Sequence, residues 1–307
     1  MISGMATETV RLEQTTEREG PGSEPVLAGV AALVTVVLWA SAFVGIRAAG
    51  EDVSPGALAL GRLLIGSVIL GLLLLARREG RPSPRALPGI VVCGLLWFAG
   101  YNIALNAAEQ RVDAGTAAMI VNIGPLVLAL FAGVILGEGF PRTLLLGCGV
   151  ALAGVTVIAL ATSDVSDSSR TGVLLCLVAA CAYAGGVVAQ KFVLRRVSAL
   201  QTTFLCCLVG AIACLPFGPA LADDVGAASR ESIIWTVYLG ALPTALAFTT
   251  WAYALARTSA GRLGATTYLV PPISVLLAWA FLGETPPELA LLGGALCLIG
   301  VALSRRT

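Results

Sequence analysis

The sequence predicts an all-α integral membrane protein of ten transmembrane helices, arranged as two inverted-topology five-helix repeats. Three observations lead there. Hydrophobic residues make up 57% of the 307 positions and charged residues 12%, against about 45–50% and about 25% in soluble domains. A single core of this size cannot hide that much apolar surface from water. Apolar stretches then recur at the length a helix needs to cross a bilayer, about 20 residues. Finally, the pattern of the first half returns in the second.

Taken in chain order, residues 1–25 are polar, with Glu8, Glu13, Glu17, Glu19 and Glu24 beside Arg11 and Arg18. They lack the basic-then-apolar order of a cleaved signal and read as a flexible cytoplasmic tail, in which Met5 offers a second start. Ten apolar stretches follow, at 26–48, 56–76, 87–108, 114–136, 142–161, 172–193, 199–219, 233–255, 263–282 and 288–304. The separators carry turn chemistry, as in GEDVSPG at 50–56, REGRPSP at 78–84, SDVSDSS at 163–169 and GETPP at 283–287. The runs are continuous rather than alternating, which excludes barrel strands.

The basic residues set an orientation. With the N-terminus inside, 14 of the 19 Lys and Arg fall on inner segments and 4 on outer ones, leaving Arg62 within a span. That asymmetry places both termini in the cytoplasm and the protein in the cell membrane.

Residues 114–155 slide onto 260–301, an offset of 146 without gaps, with 15 of 42 positions identical. The matches include Ala114-Gly115 with Ala260-Gly261, Pro125 with Pro271, and Leu136-Gly137-Glu138 with Leu282-Gly283-Glu284. Apolar bias explains matched Leu and Ala, but not matched Pro and Glu. The chain thus divides into repeats at 26–161 and 172–304. Five is odd, so the second repeat enters the membrane from the opposite face. Glu138 then ends helix 4 inside, and Glu284 ends helix 9 outside. Inverted repeats of this kind are a recurrent plan of transporters.

These residues resemble the EamA family of the drug/metabolite transporter superfamily. The resemblance rests on Trp39-Ala40-Ser41-Ala42-Phe43, on Gly61-Arg62, and on the doubled pattern of Ala-Gly, mid-helix Pro, Leu-Gly-Glu and a Gly-rich fifth helix. It implies two inverted halves, a central cavity between helices 1–4 and 6–9, and helices 5 and 10 packed to one side. It also implies export of amino acids, other metabolites or toxic organics. Pro272, directly after Pro271, departs from the pattern.

Several residues are candidates for the site. Pro125 and Pro271 lie near mid-membrane, where a proline frees backbone carbonyls that only protein or a wet cavity can satisfy; both are expected hinges. Arg62 is costly inside a span unless it pairs, faces water or snorkels. It either attracts an anionic group or a gating carboxylate, or reaches the outer surface near Glu51, Asp52 or Glu109. Glu138 and Glu284 oppose the dipole at helix C-termini, so bonds to backbone N–H groups of the following turn and helix start are expected, in a gate or structural role. Asn and aromatic residues on interior faces mark the cavity: Trp39, Trp97, Tyr101, Asn102, Asn122, Tyr183 and Tyr268.

Other classes are excluded. There is no histidine, hence no Ser-His or Cys-His nucleophile and no His-held metal. None of the eight cysteines forms a CxxC, and all sit in apolar stretches. The net charge of +1 gives no nucleic-acid footprint. No phosphate loop is present, and no Asp or Glu lies mid-span to relay protons. The expectation is a cofactor-free, metal-free secondary transporter of small amphipathic metabolites working by alternating access. Its partners are a small-molecule substrate and the lipid bilayer, and the Gly147/Ala151 spacing permits a homodimer. A non-transporting scaffold or a channel is the alternative.

Overall fold

The computed structural model of the chain describes residues 23–111, 120–162, 170–282, 288–304 and 306. Every regular element among them is helical. The segments are α1 (Ser23–Ala49), α2 (Pro55–Arg77), α3 (Pro84–Glu109), α4 (Gly124–Ile135), α5 (Arg142–Thr162), α6 (Arg170–Val193), α7 (Ala199–Ala227), α8 (Arg230–Arg257), α9 (260–282) and α10 (Glu288–Ser304). Among the described residues, α1–α3 and α6–α8 are long and apolar enough to cross a membrane. The apolar parts of α4, α5 and α10 are shorter. Because α1 begins at Ser23, the last residues of the expected tail are helical.

Local chemistry sets the ends. Pro55 occupies the first turn of α2, where a missing N–H costs nothing. The Ser198 hydroxyl accepts from Gln201 N at 3.1 Å to start α7, and Ser229 accepts from Ser232 N at 3.2 Å to start α8. α4 ends where Gly137 adopts φ +72°, and Glu138 N bonds Ala132 O at 3.2 Å, closing the last turn.

Two helices carry a wider turn. Gly94–Gly100 in α3 and Gly240–Leu246 in α8 are π-helical. Their first residues are 146 apart, the offset of the internal duplication. A Cβ on Gly94 would lie 2.8 Å from Cys206 O of α7, and one on Gly240 would lie 3.0 Å from Arg62 O of α2. Each widened turn therefore beds against the second helix of the other half.

Helices α5 and α10 pack backbone to backbone. A Cβ on Gly147 would lie 2.6 Å from Gly300 O, and one on Gly300 would lie 2.6 Å from Gly147 O. Gly154 and Gly293 are related in the same way, each 2.6 Å from the other's carbonyl oxygen. Numbers rise along one helix as they fall along the other, so the pair is antiparallel. Gly147 matches Gly293 in the duplication and Gly154 matches Gly300, so the interface is self-complementary, as across a two-fold axis. The Gly147/Ala151 stripe is thus covered by α10 and offers no surface to a second copy.

A side chain at these glycines must push the helices apart. Gly300→Val is expected to cost about 1–3 kcal/mol or more. The check is thermal unfolding of the detergent-purified variant, with Gly149→Ala, which meets nothing within 4 Å, as the neutral control.

Candidate functional site

The sequence concentrates tryptophan and tyrosine on α1, α3, α6 and α8, and the fold gathers them at one point. Trp39 of α1 lies 5.0 Å from Trp251, 5.4 Å from Phe248 and 5.9 Å from Trp97 between ring centroids. Trp97 of α3 lies 4.8 Å from Phe248 of α8 and 5.5 Å from Tyr183 of α6. Tilted and edge-on pairs at these distances each add about 0.5–1.5 kcal/mol beyond area burial. Gly186 makes room for Trp97: a Cβ there would come within 2.5 Å of the Trp97 Cβ.

The π turn of α8 supplies polar groups to this aromatic cluster. Trp39 Nε1 donates to Pro243 O at 3.3 Å, inside the π turn. Thr244 Oγ1 donates to Leu239 O at 2.8 Å and accepts from Arg62 Nε at 3.0 Å. On α3, Asn102 Nδ2 donates to Phe98 O at 2.7 Å. Widened turns recur at functional sites because they free backbone groups and re-aim side chains.

Beside the rings lies a cavity of about 80 Å³. Its wall is Trp39, Phe43 and Ile46 of α1, Arg62 of α2, Trp97, Tyr101, Asn102 and Leu105 of α3, and Asn122 and Pro125 before and in α4. Tyr183, Phe248, Thr267 and Val270 close it from α6, α8 and α9. These positions lie toward the C-terminal ends of α1 and α3 and the N-terminal end of α2. The cavity therefore sits toward the end of the bundle that carries the α1–α2 turn.

Hydrogen bonds also tie the helices at the opposite end. Lys191 of α6 donates to Leu255 O, and to Thr258 O at 2.5 Å. The Glu138 carboxylate accepts from Ala260 N at 2.8 Å and Gly261 N at 3.1 Å, capping the start of α9. Ser198 Oγ donates to Glu79 at 2.5 Å, and Gln201 Nε2 to Gly80 O at 2.6 Å. The partners of Glu138 are thus not the amides of the following turn and helix start but those that begin α9, in the other half.

Six of the seven expected cavity residues line the cavity, Trp39, Trp97, Tyr101, Asn102, Asn122 and Tyr183, and Pro125 and Arg62 line it too. Tyr268 does not. It is fully buried in a cluster with residues of α5 and α10. The 3-10 turn Thr266–Leu269 rotates the chain so that its neighbour Thr267 faces the cavity instead. Pro125 follows a break at Asn122–Ile123, and Pro271 follows that 3-10 turn, so both open a new helical stretch. Pro271 is buried outside the cavity wall. Glu284 lies outside the described residues.

Arg62 is 4% exposed and does not reach the outer surface. Asp52 is engaged elsewhere, accepting from Ser229 N at 2.9 Å, Ser229 Oγ at 2.6 Å and Ser232 Oγ at 2.7 Å. Among the described residues, Arg62 makes no ion pair with Glu51, Asp52 or Glu109. Sequence reasoning did not assign Phe43 or Phe248 to the cavity, and it passed over Pro243. A proline inside an apolar span marked Pro243; nothing distinguished the two phenylalanines from lipid-facing ones.

The EamA-like transporter family model matches residues 27–160 and again 170–306. The chain belongs to this family. Among relatives of this EamA-like chain is a probable terminal-alkyne amino-acid exporter of Streptantibioticus cattleyicolor, 39% identical over 90% of this chain and 93% of that protein. An uncharacterized transporter of Bacillus subtilis, YdfC, is 34% identical over 87% of each chain. A probable amino-acid metabolite efflux pump of Salmonella typhimurium is 23% identical over 90% of this chain and 94% of that protein. A crystal structure at 21% identity superposes with a TM-score of 0.73, covering 91% of this chain and 96% of the other, which shows the shared fold. The chain is a transporter of this family.

The Asp52 tie gives a pH test. Hydrogen bonds from the Ser229 hydroxyl, the Ser229 backbone and the Ser232 hydroxyl hold its carboxyl below the usual carboxylate range. A depressed folded pKa stabilises when the group is ionised, above about pH 4, and that contribution is lost as the pH falls further. Thermal unfolding between pH 6 and pH 3 should show a steeper acid loss in the native protein than in Asp52→Asn.

Proposed function

We propose that this EamA-like chain exports small amphipathic metabolites, amino acids among them, across the cell membrane by alternating access. One observation carries the reading: an aromatic cavity walled by both halves, lying toward one end of the bundle. All ten helices cross the bilayer, as repeats 26–161 and 172–304. The antiparallel, self-complementary α5–α10 pair and the two π turns 146 residues apart support inversion of the halves. Both termini are cytoplasmic, on the evidence of the basic residues. The cavity then lies toward the outer face, and the Glu138, Ser198 and Gln201 bonds join the halves at the cytoplasmic end.

The chemistry of the wall supports the substrate class. Rings and aliphatic groups dominate, with one guanidinium and two amides. Such a wall suits a small solute with an apolar body and a compact polar end. At about 80 Å³ the cavity is snug, so a metabolite occupies it by widening it at the seams between halves. Two relatives are named for amino-acid or amino-acid metabolite export, which agrees with this class. Pro125 and Pro271, each opening a new helical stretch, are the hinges on which the halves rock.

The experiment is flux of amino acids from proteoliposomes. Trp97→Ala should lower the initial rate at least about tenfold, equivalent to about 1.4 kcal/mol, with membrane insertion retained. Pro125→Ala should slow turnover more than it weakens binding. Native rates in both variants would remove the cavity and hinge assignments.

A further inference from the structure

A second cavity, of about 130 Å³, lies outward of the first. The two share Ile46, and they meet on α3, where Leu105 faces the inner cavity and Asn106 the outer one. Asn106 is 3% exposed. Its Nδ2 donates to Pro55 O at 3.1 Å, which fixes the amide and turns Oδ1 the other way. That oxygen is buried and has no hydrogen-bond partner among the described residues. Glu109, one turn further along the same face of α3, also lines this cavity. Its Oε1 is likewise buried and unpartnered among the described residues. A carboxylate and an amide carbonyl side by side are acceptors only; the group that satisfies both is an N–H donor with positive charge.

Across the junction stands Arg62. Its single hydrogen bond among the described residues is from Nε to Thr244, and it lines the inner cavity. Arg62 and Glu109 lie close enough to feel each other's charge, yet they form no ion pair. The inner cavity therefore presents the Arg62 guanidinium, and the outer one the unpartnered oxygens of Asn106 and Glu109. A solute with one charge would satisfy one and face the other. A zwitterion satisfies both at once and carries no net charge into the membrane, where net charge is costly.

We propose that Asn106 and Glu109 bind the ammonium group, and Arg62 the carboxylate, of a free α-amino acid whose side chain enters the aromatic cavity. This rests on the exporter reading and names the part of the solute it recognises. Arg47 and Glu51 also line the outer cavity, where the charge of Arg47 acts on Glu109 as well, and neither forms an ion pair among the described residues.

The test uses three probes with one side chain: L-leucine, isoamylamine, which lacks the carboxylate, and N-acetyl-L-leucine, which lacks the ammonium. Binding is measured by titration calorimetry on the full-length purified protein, and flux in proteoliposomes from the same preparation. The native protein should bind L-leucine at least tenfold more tightly than either single-charge probe. Glu109→Gln keeps the side chain's shape; it should weaken L-leucine at least tenfold and abolish its advantage over N-acetyl-L-leucine. Its affinity for N-acetyl-L-leucine should not fall. Arg62→Gln should abolish the advantage over isoamylamine. An ammonium preference that survives Glu109→Gln overturns the site and leaves the exporter reading standing. So does unchanged affinity for all three probes with a lost pH dependence of flux, which would make Glu109 a proton carrier. No binding of any probe to the native protein overturns the site as well, and flux of a different solute class would still sustain the exporter. Absence of flux for every solute overturns the exporter reading itself.

Discussion

Backbone laid against backbone between the two halves is the constraint on which the architecture depends. In a bilayer, helices gain nothing by hiding apolar side chains from one another, because lipid is as apolar as leucine. Association must come from close approach, and only glycine allows carbonyl oxygens to come as near as they do at Gly147, Gly154, Gly293 and Gly300. Gly94 and Gly240 apply the same device at the centre of the bundle, each against the opposite half. With the main chains fixed this tightly, the remaining helices are held at distances their side chains do not choose. The aromatic cavity is the gap left between them.

What fills that gap follows from its depth. Water is scarce there, so each polar atom needs a partner built into the protein. The π turn of α8 meets part of this need, since Thr244 takes the Arg62 guanidinium and Pro243 O takes the Trp39 indole. The rings provide a surface that is rigid and apolar without being closed to polar solutes, because indole and phenol each carry a polar tip. The other end of the bundle uses backbone carbonyls and amides instead, received by Lys191 and Glu138. Such bonds can break and re-form without moving a ring.

Much of this was legible in the residues alone. The duplication was visible because proline and glutamate are rare in apolar spans, so matched copies stand out. Trp39, Trp97, Tyr101, Asn102, Asn122 and Tyr183 were legible because amides and polar rings are costly against lipid and must face inward. Phe43 and Phe248 were not, since a phenylalanine is equally content toward lipid or toward a cavity. Tyr268 was misplaced because a single 3-10 turn changes the rotation per residue, and no periodicity carried across Thr266–Leu269 keeps its phase. The π turns were hidden for a similar reason: one extra residue per turn leaves composition untouched, even though Gly94–Gly100 and Gly240–Leu246 match at three of seven positions. Arg62 was recognised as costly, but the threonine that receives it lies 182 positions away, beyond any local pattern.

The Glu138 cap bears on how the chain is made. Its carboxylate closes the end of α4 onto amides that are synthesised 122 residues later. Until α9 emerges from the ribosome, that carboxylate has no helix start to cap, and the glycine faces of α3 and α5 have no partner to meet. The first five helices thus stand as an open half-shell, with bare backbone stripes on α3 and α5, until the second half is made. Translation of the second half completes the first, and the order of synthesis makes the early half depend on the late one for its own finish.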